Sequence, residues 1–192
     1  MSAFRSENPP KSPLTPIGLR APELIIEESF GSAIDIWSFG CLVYEFLTGT
    51  ALFAVGYIGY EDKDDVDDDH LLALNDILEP LPDSWLSKWP RSQKWLGPNR
   101  ERLQPGKSAE GIQALEDGKK EIEEQNGGEG LECNEGPYIE DPLEVLFDRN
   151  KQNDIDAEEA KVVTTLIRQI LRYEPSERPS AQDILEHPWF QD

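Results

Sequence analysis

Few side chains in this sequence have both the type and the spacing that chemistry needs. His70 and His187 stand far apart, as do Cys41 and Cys133, and neither pair has metal-ligand spacing. No Ser-His-Asp or Cys-His set is suggested, and no G-x-G-x-x-G phosphate cradle occurs. The carboxylates say more. Asp69 and Asp76 are seven residues apart, so on a helix they point in nearly the same direction, opposite Leu71, Leu74 and Leu78. Carboxylates paired in this way can read arginine side chains, whose planar guanidinium matches them. An ordinary solvated helix face fits the same spacing.

The elements that would position such residues must come from a chain of 192 residues with a net charge of −21. This length suits one domain or part of a larger one. Repulsion disfavours nucleic acid and anionic membrane as partners, whereas basic peptides would be attracted. Two cysteines make no disulfide framework, which predicts a reducing, intracellular setting, cytoplasm or nucleus. Met1–Lys11 lacks the apolar run of a signal peptide. Ala33–Leu47, the longest apolar stretch, contains Asp35 and Glu45 and is too short to span a bilayer.

Residues 1–16 are rich in Pro and Ser and predict a flexible arm. A short helix is expected over about Ala21–Ile26. Ser32 and Asp35 fit a capping box for a second helix, which Gly49 would end in a left-handed turn. This helix is apolar on almost every side, so it should be buried on almost every side. An acidic run over 59–70 precedes a helix carrying Leu71, Leu74 and Leu78, which stops by Pro80. From Pro82 to about Asp156 the sequence reads as mostly irregular, with Trp85, Trp89 and Trp95 as anchors. Within it, 97–136 predicts a disordered acidic insertion. Asp156 with Glu159, and Ser180 with Asp183, open two further helices by the capping-box pattern. The whole reads as mainly α.

Two segments carry a family resemblance. Leu19-Arg20-Ala21-Pro22-Glu23, followed by Asp35-Ile36-Trp37-Ser38-Phe39-Gly40, resembles the A-P-E motif and the D-x-W-S-x-G helix of eukaryotic protein kinases. Downstream, Glu177-Arg178-Pro179-Ser180 and His187-Pro188-Trp189-Phe190 resemble the end of that domain. Arg20 before Ala-Pro-Glu resembles the group that holds cyclin-dependent, MAP and SR-protein kinases. Asp69-His70-Leu71 and Trp89-Pro90-Arg91-Ser92 resemble the SR-protein kinase branch. The resemblance implies a mainly α fold, the lower half of the kinase large lobe, with a long irregular insertion between its later helices. Residues 17–192 would be this partial domain.

Residue by residue, the resemblance implies the following roles. Glu23 and Arg178 form an ion pair tying the A-P-E segment to the loop before the last helix. Asp35, Trp37 and Gly40 belong to the central helix, and Asp35 accepts bonds from a catalytic loop that this chain lacks. Asp35 would then face water, find another donor or shift its pKa upward. Thr15, Pro16, Ile17, Gly18, Leu19 and Arg20 form the loop that holds the substrate residue after the phosphoacceptor. The family's threonine falls at Pro16, with Thr15 one residue early. Asp69 and Asp76 belong to an acidic groove that docks Arg/Ser-rich peptides.

Phosphoryl transfer in this family uses ATP and magnesium, held by a glycine-rich loop, a strand lysine, a catalytic-loop Asp and Asn, and the Asp of Asp-Phe-Gly. None of these motifs is in this chain. The reading is therefore a truncated serine/threonine kinase domain with no catalytic residue, cofactor or metal site of its own, inactive alone. A partner or a second copy would cover the central helix where upstream cover is missing. Two alternatives are a non-catalytic acidic module for Arg/Ser-rich peptides and a partly disordered acidic protein with a residual helical core.

Overall fold

The computed structural model describes residues 15–26, 31–55, 63–103 and 139–191. The predicted arm, apart from Thr15 and Pro16, and residues 104–136 of the predicted insertion lie outside these. The chain divides into two units, one of residues 1–88 with 140–192 and one of 89–139. Seven α-helices are described: α1 (Glu23–Ile26), α2 (Ala33–Thr48), α3 (Lys63–Ile77), α4 (Asp83–Leu86), α5 (Leu143–Asn150), α6 (Ala157–Ile170) and α7 (Ala181–Leu185). Among the described residues there is no strand, only an isolated antiparallel bridge between Leu96 and Arg102. No helix among them is long and apolar enough to cross a membrane.

The larger unit is built around α2. Its residues Ile34, Trp37, Cys41 and Tyr44 are buried, and burial pushes the Cys41 thiol pKa well up, so this cysteine is a packing residue. Gly40 sets the approach of α6: a Cβ there would lie 2.6 Å from Ile170 Cγ2 and 2.9 Å from Leu171 Cδ2. Farther along α2, Tyr44 meets Phe147 of α5 edge to face, with ring centroids 6.0 Å apart. Gly49 closes the helix at φ +73°, its N–H donating to Glu45 O.

Helix α6 presents Val163, Leu166, Ile167 and Ile170 to the core as one stripe. Its residue Arg168 clamps Glu144 of α5 through Nη2 to Oε2 at 2.7 Å, and it also donates to the Leu78 carbonyl. That guanidinium holds the Glu144 carboxyl below the usual carboxylate range. Tyr173, just after α6, donates its hydroxyl to Leu74 O and Glu79 O, which fixes the C-terminal end of α3.

Several local expectations need correction. Ser32 does not cap α2, because its own backbone is already helical and its hydroxyl makes no capping bond. Asp156 does cap α6, accepting from Glu158 N and Glu159 N at 2.9 Å, but Glu159 turns to Trp189 Nε1 and leaves the box half made. Ser180 and Asp183 complete theirs in both directions. The acidic run is not a prelude to α3: the helix begins at Lys63 and contains Asp64–Asp69. Acids in a first helical turn meet the positive end of the dipole, and Lys63 pairs with Asp67 one turn on. Residues 143–150, read as irregular, form α5 directly after Pro142, a residue well suited to the boundary of a helix.

In the smaller unit, a 3-10 turn spans Pro90–Lys94, and Leu103 N donates to Trp95 O at 2.8 Å. Residues 97–103, part of the predicted disordered insertion, thus include a closed turn. Trp85 in the larger unit and Trp89 in the smaller are buried, while Trp95 is half-buried.

The contact at Gly40 yields a test of sign. Gly to Ala inside a helix ordinarily stabilises by about 1 kcal/mol. Overpacking against α6 costs about 1–3 kcal/mol. Gly40→Ala should therefore lower stability in urea unfolding, and a gain would show that α2 and α6 are not in contact there.

Candidate functional site

Arg178 and Glu23 lie 155 residues apart in sequence and meet in the interior. Nη1 donates to Oε1 and Nη2 to Oε2, both at 2.7 Å, with side chains only 1% and 2% exposed. The remaining guanidinium donors are also used: Nη1 to Ala33 O at 2.9 Å, Nη2 to Tyr173 O at 3.0 Å and Nε to Arg172 O at 2.8 Å. The guanidinium carbon Cζ lies over the Trp37 ring, 5.0 Å from its centroid. A buried charge pair with every donor satisfied avoids most of the cost of leaving polar groups unmet.

The segment Thr15–Arg20 lies next to this pair along the chain. Its centre is a 3-10 turn, Ile17–Leu19, and three neighbours hold it. Ser38 of α2 donates to Leu19 O at 2.9 Å. Gly18 passes so close to the loop after α2 that a Cβ would lie 2.7 Å from Phe53 O. Arg20 Nη1 stands 3.3 Å from Asp67 Oδ1 of α3. Thr15 is half-buried and Pro16 exposed. Residues 16–19, with Leu42, Glu45, Phe53 and Val55, line a cleft of about 480 Å³.

On α3, Asp69 and Asp76 are half-buried rather than fully exposed. Asp76 accepts from Asn75 Nδ2 at 3.2 Å and from the Glu140 N–H at 3.4 Å. Asp65, Asp69 and Asp76 fall within about 40° of one another around the helix. Sequence reasoning did not single out Asp67, which is buried against Arg20, nor His70 as a core residue. His70 is fully buried, 5.5 Å from the Phe53 ring centroid, and neither ring nitrogen has a hydrogen-bond partner. Burial first, and the Arg20 charge second, push its pKa down to about 3. The one available signal was position: His70 lies three residues after Asp67 and one before Leu71, on the inward side of the helix.

The structure places Trp37 and Gly40 in the core and Asp35 on the surface. Of the three fates predicted for Asp35, exposure to water is the one seen. The apolar pattern of α2 alone suggests burial all round, but burial is not complete; one side is left uncovered, as is also expected of this helix. Asp35, Phe39, Leu42 and Phe46 share one side of the helix, and Phe46 is 74% exposed. Among the described residues, Phe39 has Phe190 as a ring neighbour, with centroids 6.3 Å apart. Among the described residues, no group of three or more His, Cys, Asp or Glu side chains could hold a metal ion.

The comparisons with known proteins agree with this geometry. The family model of the protein kinase domain matches residues 2–190, and the chain belongs to the protein kinase family. A serine/threonine-protein kinase SRPK of Physarum polycephalum is 28% identical over 173 residues, covering 90% of this chain and 33% of the relative. The human dual specificity protein kinase CLK2 is 26% identical over 89% of this chain and 26% of its own length. A serine/threonine protein kinase of Aspergillus fumigatus is 30% identical over 89% of this chain and 34% of its own. The chain thus spans about a third or less of these relatives. A crystallised kinase domain matches with a TM-score of 0.52 at 21% identity, over 91% of this chain and 40% of that one, which supports the fold. The mainly α architecture is that of the kinase large lobe.

The buried His70 has a consequence for acid stability. In the unfolded chain its imidazole takes a proton near the ordinary value of 6.5, but in the fold not until about 3. The unfolded state therefore binds more protons between these values, and stability falls as pH drops below 6.5. This one group should account for about 2 kcal/mol between pH 7.5 and 5. His70→Phe should remove that part of the acid sensitivity in urea titrations at the two pH values. Equal losses in both proteins would show that His70 is not held neutral.

Proposed function

We propose that these residues are the peptide-contacting lower part of the large lobe of an SR-protein-kinase-like serine/threonine kinase, and that alone they do not transfer phosphate. The observation that carries the reading is the Thr15–Arg20 segment, anchored to α2, to the loop after it and to α3, immediately before the buried Glu23. A loop fixed on three sides suits a role in presenting one residue of a peptide in a defined place. The residues present do not fit ATP or magnesium. Two of the three buried acids described, Glu23 and Asp67, are each engaged by a guanidinium, and the chain contains no Gly-rich loop, His-Arg-Asp or Asp-Phe-Gly. With nothing to position the phosphates, neither proximity nor electrostatic stabilisation is available.

A second reading is favoured by the acidic side of α3. Asp65, Asp69 and Asp76 share that side on a chain of net charge −21, which suits an Arg/Ser-rich peptide even without catalysis.

One preparation tests both readings. With ATP, magnesium and an Arg-Ser repeat peptide, the 192-residue chain should incorporate no phosphate above background. Transfer above background would overturn the first reading. Fluorescence anisotropy of the same peptide should show binding at low salt that high salt abolishes. An absence of binding at low salt would remove the second.

A further inference from the structure

The contact between Arg20 and Asp67 does more than neutralise two charges. Arg20 is the last residue of the segment proposed to meet the peptide, and its side chain crosses to α3. Asp67 is nearly buried, as is most of Arg20, with side chains 4% and 15% exposed. Lys63, one turn earlier on α3, holds the other carboxylate oxygen at 2.6 Å, but its own side chain is 74% exposed. The two cations are therefore unequal. Lys63 sits in water, where a pair is screened and weak. Arg20 reaches Asp67 where both side chains are largely buried and where its charge is felt by the buried His70, so screening is small and the attraction correspondingly larger. Arg20 Nε is buried there without a hydrogen-bond partner, so the Nη1 contact to Asp67 is the side-chain hydrogen bond seen for this guanidinium.

We propose that Asp67 is a positioning residue: through Arg20 it fixes the Thr15–Arg20 segment against α3, so that this segment keeps its shape only while the carboxylate is charged and in place. The inference rests on the proposed role of the segment for its functional meaning, but the coupling itself does not depend on that role. The backbone of the segment is held weakly by its own bonds, Leu19 N to Pro16 O and Arg20 N to Ile17 O, both 3.0 Å. A short 3-10 turn of this kind has little stability of its own. Its anchors must come from outside, and the one that reaches α3 is Asp67.

Hydrogen exchange of the 192-residue chain tests this, read at the amides of Leu19 and Arg20 and, as an internal control, at those of α6. Asp67→Asn should speed exchange at Leu19 and Arg20 by about tenfold, the size expected for loss of a charge-assisted hydrogen bond, and leave α6 unchanged. Asp67→Glu, which keeps the charge, should restore much of the protection. Lys63→Ala should change it less than about twofold, as expected of an exposed pair. Unchanged exchange at Leu19 and Arg20 in Asp67→Asn would overturn the proposal, and so would an equal rise in α6, which would mark general destabilisation. Arg-Ser peptide binding by the same variants is read separately. If wild type fails to bind while the exchange pattern holds, the role of the segment fails and the coupling stands.

Discussion

The Glu23–Arg178 pair is the constraint on which the larger unit depends. An unpaired charge in a protein interior costs several kcal/mol, and a pair recovers this only with good geometry and with its other hydrogen-bonding groups met. Here five donor contacts leave the guanidinium, two to the carboxylate and three to carbonyls of Ala33, Arg172 and Tyr173. These partners belong to α1, to the first turn of α2 and to the turn after α6. One side chain thus fixes three segments at once, and Trp37 lies under it as a flat apolar base. Any rearrangement of these segments would strand at least one buried polar group.

From that point the candidate site follows outward. Glu23 begins α1, two residues after Ala21, so fixing Glu23 fixes the end of the Thr15–Arg20 segment. Ser38, one turn into the helix that carries Trp37, then takes the Leu19 carbonyl, and α3 takes Arg20. Helix α3 is itself held at its C-terminal end, by Tyr173 at the Leu74 carbonyl and by Arg168 at the Leu78 carbonyl just beyond it. The Thr15–Arg20 segment and the acidic helix are therefore parts of one framework. On a chain this acidic, three arginines of the unit, Arg20, Arg168 and Arg178, each tie segments together.

Much of this was legible in the sequence, and the reasons differ by element. The stripe of α6 and the Gly49 stop of α2 are local: periodicity and a left-handed glycine suffice to show them. The family followed from four short motifs in the right order. What stayed hidden depends on contacts between distant residues. The acids over 59–70 read as a run preceding the helix, and Asp67 gave no sign of burial because the Arg20 that compensates it lies 47 residues away. His70 read as the start of the acidic helix, with no sign of burial, because nothing local reveals a buried imidazole without partners. Helix α5 has only two fully buried residues, Leu143 and Phe147, and so little period to detect. The exposed side of α2 reads as apolar core because composition records what a helix can cover, whereas exposure depends on what lies beside it.

The account is tested most directly by a double-mutant cycle on the central pair, using urea unfolding of Glu23→Leu, Arg178→Met and the double variant. Each single change should cost about 3–5 kcal/mol, because a charge is left stranded, and the double change much less than their sum. A single variant that no longer folds, beside a double variant that does, would carry the same meaning. Costs that add within about 0.5 kcal/mol would contradict the claim that this pair holds the unit together.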